Sequence, residues 1–366
     1  MRKLLLSTTV LLLQVMNSYG QPDVTKPVGT IPGSLTISMG GAATYNIPIQ
    51  VPSGLAGLQP RLSLVYNSRL NDGIAGYGWN LSGISAITRG PQTKLYNGNV
   101  SPLELDSDDN FYLDGQLLIP TTGINGGDET QYSMEAETFF KIESVGGFNG
   151  NPDFWRITQK DGSTVEYGIK PEDKLVTTAN ISWMISRSTD VNKNLVSYAY
   201  QSLEGEVILD RITYGNTAVS FEYSDKENKN ITFENGKSMI DSRILIKINI
   251  IQDGVTKQHV GLQHTRQLKR NYLTGVELYG TDGQSILTKF DYGLIAQEEA
   301  GSTIQGTYDV VGHNWSLTPG DYNGDGKSDL VVANILYKVE DDNIKSTSSS
   351  LYNLGRMARQ NHNGRF

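Results

Sequence analysis

The chain has no cysteine and only four histidines among its 366 residues. Without a thiol there is no disulfide scaffold, thiolate zinc site, catalytic cysteine or lipid-anchored N-terminal cysteine. His259, His264, His313 and His362 show no zinc-hydrolase spacing and read as scattered surface residues. Positive charge is also short: 31 Lys and Arg face 39 Asp and Glu, a formal net charge of −8. That balance disfavours nucleic-acid phosphates and anionic membranes as partners, since both need a positive field. No window carries a long apolar stripe of period 3.6 between caps, so helices should be few and short.

What is present is glycine, at 39 residues, and tyrosine, at 19 against 9 phenylalanines. With Val, Ile, Leu and Tyr plentiful, the glycines indicate many turns rather than disorder, and a turn-rich all-β protein fits best. The length suits roughly two domains. Arg2 and Lys3, the apolar stretch Leu4 to Met16 and the small residues around Ser18-Tyr19-Gly20 form an export signal over residues 1–20. Cleavage is expected before Gln21, leaving a mature chain of charge about −10 because two positive residues depart. An uncleaved anchor is the alternative, but the stretch is shorter than the roughly 20 residues a membrane span needs. Four N-x-Ser/Thr triplets, at Asn80, Asn180, Asn230 and Asn314, carry no weight without a known host.

After a Pro-containing linker over 21–33, alternation of apolar and polar residues predicts strands. They fall at Leu35–Ser38, Ala43–Ile49, Arg61–Tyr66, Phe154–Thr158, Thr164–Tyr167, Leu195–Tyr200, Ala218–Tyr223, Ile244–Ile250 and Ile286–Tyr292. Asn97-Gly98, Asp114-Gly115, Asp161-Gly162, Gly215-Asn216, Asp253-Gly254 and Asp282-Gly283 supply residues that tolerate the positive φ of hairpin turns. A meander of antiparallel hairpins follows. Tyr198 and Tyr200 fit a sheet face where the ring packs and the hydroxyl reaches water or backbone; stacking on a sugar is the competing use.

One block is more specific. Gly41 to Ser68 reads as two strands around the Pro/Gly crossover Val51-Pro52-Ser53-Gly54-Leu55-Ala56-Gly57-Leu58-Gln59-Pro60. The glycine-dense Asn71-Asp72-Gly73-Ile74-Ala75-Gly76-Tyr77-Gly78-Trp79-Asn80-Leu81 then lets a large indole fold back against backbone. This block resembles the N-terminal domain of the Salmonella virulence-plasmid B protein (SpvB) family, shared with the B components of insecticidal toxin complexes. Phe154–Thr158 with Asp161–Gly168, Trp183-Met184-Ile185, Asp190–Asn194 and Leu209–Asn216 extend the likeness, in a style similar to Rhs-type YD repeats. It covers roughly Ile31 to Tyr292.

A second block, Asp321-Tyr322-Asn323-Gly324-Asp325-Gly326-Lys327-Ser328-Asp329-Leu330-Val331-Val332, sets acids and amides at alternate positions of a tight loop. Calcium takes six to eight oxygen ligands, which assigns the side chains of Asp321, Asn323, Asp325 and Asp329 and the carbonyl of Lys327. An EF-hand would end in Glu where Val332 stands. The pattern is instead similar to the calcium hairpin of FG-GAP/VCBS repeats, which build β-propeller blades. A solvated Asx-rich hairpin without metal is the alternative. Asp106, Asp108, Asn110 and Asp114 form a weaker acidic cluster that lacks a turn glycine, since Phe111 stands there, and reads as an exposed hairpin tip.

Enzyme signatures fail on order or spacing. Gly324–Ser328 lacks the first glycine of a phosphate loop, which would fall at Asp321, and its carboxylates repel phosphate. Gly76-Tyr77-Gly78 has Leu81 where a dinucleotide fingerprint needs its third glycine. The Salmonella relative carries an ADP-ribosyltransferase domain built on Arg, Ser-Thr-Ser and Glu-x-Glu in that order. Here Glu135-Ala136-Glu137 and Glu204-Gly205-Glu206 both precede Ser346-Thr347-Ser348, so the constellation does not assemble.

The expectation is therefore an all-β, antiparallel multi-hairpin chain: a shell or sandwich-like domain over 34–295, a calcium hairpin from a propeller blade over 296–338 and a disordered tail over 339–366. The resemblance implies a secreted, non-enzymatic scaffold that forms part of a toxin-enclosing β shell. Its partners would be other toxin-complex components or the remainder of an Rhs shell, with no nucleic acid and no stable membrane anchor. A secreted or cell-surface module binding glycan or protein is the alternative. A propeller needs typically 4 to 8 blades and one hairpin is present, so the chain reads as the N-terminal part of a larger protein, truncated or split.

Overall fold

The computed structural model describes residues 31–136, 139–176, 179–203, 205–234, 237–267, 270–281, 283–292, 317–320, 329–332, 335–340 and 343–350. The chain divides into two units, Met1–Asp291 and Tyr292–Phe366.

In the first unit, β1 (Ser34–Ile37), β2 (Ala43–Ile49), β3 (Leu62–Asn67), β4 (Asp72–Gly73), β5 (Gly76–Tyr77) and β6 (Trp79–Ser82) make one sheet, ordered β1-β2-β3-β6-β5-β4. Period-2 alternation dictates its faces: Ile47 and Ile49 are buried while Pro48 between them is exposed, and Leu62 and Leu64 point the same way inward.

A second set of strands closes on itself. These are β7 (Ala86–Gly90), β8 (Asn110–Leu113), β9 (Gln116–Thr122), β10 (Gln131–Met134), β11 (Lys141–Val145), β12 (Phe154–Thr158) and β13 (Thr164–Tyr167), each antiparallel to the next. After the short β14 (Lys174–Val176), β15 (Asn180–Thr189) pairs with β7 through Ser182–Met184 and with β13 through Ile185–Thr189. The result is an eight-strand barrel, a closure that leaves no free edge within the ring. Its interior is aromatic: Trp155 stands 4.9 Å from Phe111, 5.0 Å from Tyr132 and 5.8 Å from Trp183, ring centre to ring centre. Tilted and edge-on pairs of this kind add about 0.5–1.5 kcal/mol each beyond area burial.

The end of β15 also pairs with β16 (Leu195–Leu203), where a meander begins. It continues through β17 (Glu206–Tyr214), β18 (Thr217–Glu234), β19 (Lys237–Gln252), β20 (Val255–Gln267), β21 (Arg270–Tyr279) and β22 (Ser285–Lys289). The six-stranded sheet packs on this meander, and Ile47, Ile49, Val260, Val276 and Leu278 line a small cavity where they meet. Trp79 is 2% exposed and sits 4.8 Å from Phe290 and 5.4 Å from Tyr66.

The predicted turns Asp114-Gly115 and Asp253-Gly254 adopt paired positive φ, 49° and 82°, 53° and 74°, as two-residue hairpins require. Asn97-Gly98 differs. It ends a short helix, α1 (Lys94–Asn97), with Gly98 at φ 69° as the left-handed C-cap. β18 and β19 run well beyond the predicted 218–223 and 244–250, because Asp225–Glu234 is too polar to show alternation, yet its backbone pairs with β19 at Asp225 and again from Asn230 to Glu234, on either side of an irregularity. Among the described residues no helix is long and apolar enough to cross a membrane.

The second unit, on its described residues, is a four-stranded antiparallel sheet of β23 (Leu317–Gly320), β24 (Asp329–Val332), β25 (Ile335–Glu340) and β26 (Asn343–Ser350), in that order. Within the 339–366 segment, β26 pairs with β25, since backbone pairing needs no apolar side chains. Residues 351–366 lie outside the described residues.

Candidate functional site

Of the predicted calcium ligands, Asp321, Asn323, Asp325 and Lys327 lie outside the described residues. Asp329 opens β24 opposite Gly320, the last residue of β23. The backbone thus sets Gly320 and Asp329 opposite each other across an antiparallel pair of strands. Among the described residues, no group of three or more His, Asp or Glu is placed to hold a metal ion.

The second acidic cluster is an exposed tip only in part: Asp108 is exposed and Asp114 stands at the exposed β8–β9 turn, whereas Asn110 is buried. Asp109, which the sequence pattern passed over, is 1% exposed and pairs with Arg89 at 3.0 Å, both side chains being fully enclosed. Asp109 also accepts the backbone N–H groups of Glu104, Leu105 and Asp106. Arg89 donates Nε to the Asn180 carbonyl, Nη1 to that of Asp106 and Nη2 to that of Gly150. Its guanidinium lies 5.0 Å from the Phe111 ring. Burial pulls the Arg89 pKa down, while the hydrogen bond and charge of Asp109 push it back up. Asn110 is also buried, donating to Pro91 O, and Asp114 accepts Ser85 Oγ and the Ala86 N–H. These carboxylates and amides fasten the loops to the barrel.

The glycine-dense block has a role that its composition did not disclose. Three consecutive carbonyls receive donors from three neighbouring strands of the meander. Gly73 O accepts Lys226 Nζ at 3.4 Å, Ile74 O the Leu245 N–H at 2.7 Å and Ala75 O His264 Nε2 at 3.0 Å. Gly76, at φ 119°, lies so close to β21 that a Cβ would stand 3.0 Å from Asn271 O. His264 is therefore no surface residue; the signal in the sequence is its inward position on a strand whose alternation also buries Val260 and Leu262.

The other sequence candidates are dispersed. Glu135 accepts the Tyr96 hydroxyl at an exposed position, and Glu206 is buried on Ser242. Glu137 and Glu204 lie outside the described residues, and so do His313 and His362. His259 stacks on Tyr279 at 4.4 Å. Tyr198 and Tyr200 are buried, Tyr200 donating to Ile185 O at 2.9 Å, so neither offers a sugar-stacking face. Burial pushes the Tyr198 hydroxyl up to about 12. Glu166 would be raised by burial, but hydrogen bonds from Arg187 and Arg156 outweigh that and hold it below the usual range.

No curated protein matches the chain by sequence. An FG-GAP repeat model matches residues 313–339. Among solved structures, TcdB2-TccC3 superposes with a TM-score of 0.59 at 16% identity, covering 88% of this chain and 20% of that one. The Photorhabdus luminescens Tc holotoxin pore gives 0.60 at 16%, covering 92% and 20%. The N-terminal domain of effector protein SpvB from Salmonella typhimurium strain LT2 gives 0.53 at 16%, covering 67% of this chain and 99% of that domain. The chain thus spans about one fifth of the toxin-complex chains it matches and nearly all of the isolated domain. The family model described as Salmonella virulence plasmid 65kDa B protein matches residues 37–259, and the chain belongs to that family.

Proposed function

We propose that this protein is an exported, non-enzymatic β scaffold: a wall segment of an assembly of the toxin-complex type, joined by its partners to enclose or carry another component. One observation carries the reading. The family match over 37–259 falls on a continuous fold that superposes on toxin-complex chains across most of its length. The interior supports it. The barrel is filled by Trp155, Trp183 and Phe111, and its buried charges are spent on loop carbonyls and N–H groups. Such a module holds a shape. Export rests on the N-terminal signal pattern of residues 1–20, and a calcium ion on the oxygen-only donor set of 321–329, whose paired flanks fit a metal-bridged turn.

The test begins with the reading frames beside the gene. A neighbouring or continuing frame rich in Rhs/YD repeats, whose product co-elutes with this chain as one particle by size exclusion, is the expected result. A neighbouring polysaccharide locus, no such frame and tight binding of the isolated chain to a glycan would overturn it.

A further inference from the structure

The clamp between segment 72–77 and the meander is built from groups that titrate. His264 reaches it from β20 and Lys226 from β18, the latter with only 1% of its side chain exposed. Lys226 is held by both carboxylate oxygens of Asp241 on β19, each at 2.7 Å. From β21, Arg270 stands 4.4 Å from the Tyr77 ring, and Tyr272 packs on the same ring at 5.4 Å. The hairpin contributes Asp72, one of whose carboxylate oxygens is buried without a hydrogen-bond partner. Tyr66 of β3 also feels Tyr77 and Tyr272. Flanking ion pairs join Arg266 to Glu227 and Arg243 to Asp225.

Two of these groups respond to acid with opposite sign. Burial first, and then the nearby Lys226 ammonium, hold the His264 imidazole below its ordinary value, against the pull of the Ala75 and Leu262 backbone. The docked state therefore binds a proton less readily than the open one. The stabilisation from neutral His264 is complete above the ordinary imidazole value of 6.5 and is lost as pH falls below it. Asp72 is shifted upward by burial and by Asp241, against Lys226 and Arg270, so its protonation favours the docked state.

We propose that segment 72–77 and His264 form an acid-sensitive latch: the hairpin is fastened to β18–β21 at neutral pH and released in mildly acidic medium, while the barrel stays closed. The geometry supports this because three of the hairpin's fastenings lie side by side on adjacent strands, and a second buried positive charge beside Lys226 lacks a carboxylate of its own.

Hydrogen exchange of the full chain at pH 7.5 and 5.5, corrected for the intrinsic rate, tests it. Protection in peptides covering 71–79 and at the Leu245 amide should fall severalfold, up to about tenfold per pH unit below the imidazole range. Peptides over 154–158 in the barrel should not change. His264→Gln, which keeps an amide donor but cannot titrate, should abolish the pH dependence. Equal loss in the barrel, no loss in 71–79, or an unaltered response in His264→Gln would overturn the latch. Should that variant fail to fold, the imidazole titration of the wild-type chain by NMR decides: loss of protection must track the His264 proton, and onset at a different pH refutes it.

Discussion

Replacing Arg89 by Met withdraws five donated hydrogen bonds from one end of the barrel, to Asn180 O, Asp106 O, Asp109 Oδ2, Gly150 O and Asn151 Oδ1. The methionine fills much of the vacated space, so the loss is mainly polar. Asp109 would remain enclosed, with 2% of its side chain exposed and three backbone N–H donors but no cation. Breaking a buried pair by removing one partner costs about 3–5 kcal/mol, and stranded buried carbonyls add to it less than additively. We expect a loss of about 4 kcal/mol. Loops 104–109 and 146–151 share this one side chain, so they should loosen together. In thermal unfolding of the full chain followed by tryptophan fluorescence, Tm should fall by on the order of 10 °C for a unit of this size. Asp109→Asn, which keeps an acceptor for the backbone, should cost less. The double variant should show a coupling of about 2 kcal/mol. An Arg89→Met variant within about 1 kcal/mol of wild type would refute the assignment of Arg89 as the fastener of this end.

Three further outcomes follow from the same reasoning. EDTA should lower Tm and calcium restore it, by about 2.7 kcal/mol at a hundredfold excess over Kd; Asp325→Ala should abolish that response, and an unchanged transition in both proteins would remove the metal from the hairpin. Gly83→Ala sets a Cβ 1.8 Å from the Arg61 carbonyl oxygen at φ 97° and should cost about 2 kcal/mol or more, which a wild-type denaturation midpoint would contradict. The third concerns Glu166, held below the ordinary glutamate range by Arg187 and Arg156 after burial is overcome. Its stabilisation is complete above the unfolded glutamate pKa and is lost as pH falls through the folded value. Since the two arginine side chains are 48% and 38% exposed, solvent screening limits Glu166→Gln to about 1 kcal/mol at pH 7. The gap from wild type should close in acid; a gap independent of pH would exclude the charge as its source.

Sequence pattern located β2, β12 and β13 to the residue because apolar and polar residues alternate along each, even though β13 buries Val165, Glu166 and Tyr167 on both faces. It missed most of β18 and β19 because a two-stranded arm satisfies its backbone without burying alternate side chains. It also passed over Asp109 and Arg89, which lie far apart in the chain and whose meaning comes from enclosure alone. The proposed calcium ligands rest on local spacing alone; the role of His264 was not legible, because its partner is Ala75, brought to it across the sheet-on-meander packing.

By itself the sequence determined the all-β class and most of the hairpin turns, since periodicity and turn chemistry act over a few residues, and its longer motifs carried the family resemblance. The tertiary structure alone decided that β15 closes a barrel, that Arg89 fastens one of its ends and that the glycine-dense block clamps onto four strands. Those depend on register and burial, which place residues distant in the chain within hydrogen-bond reach.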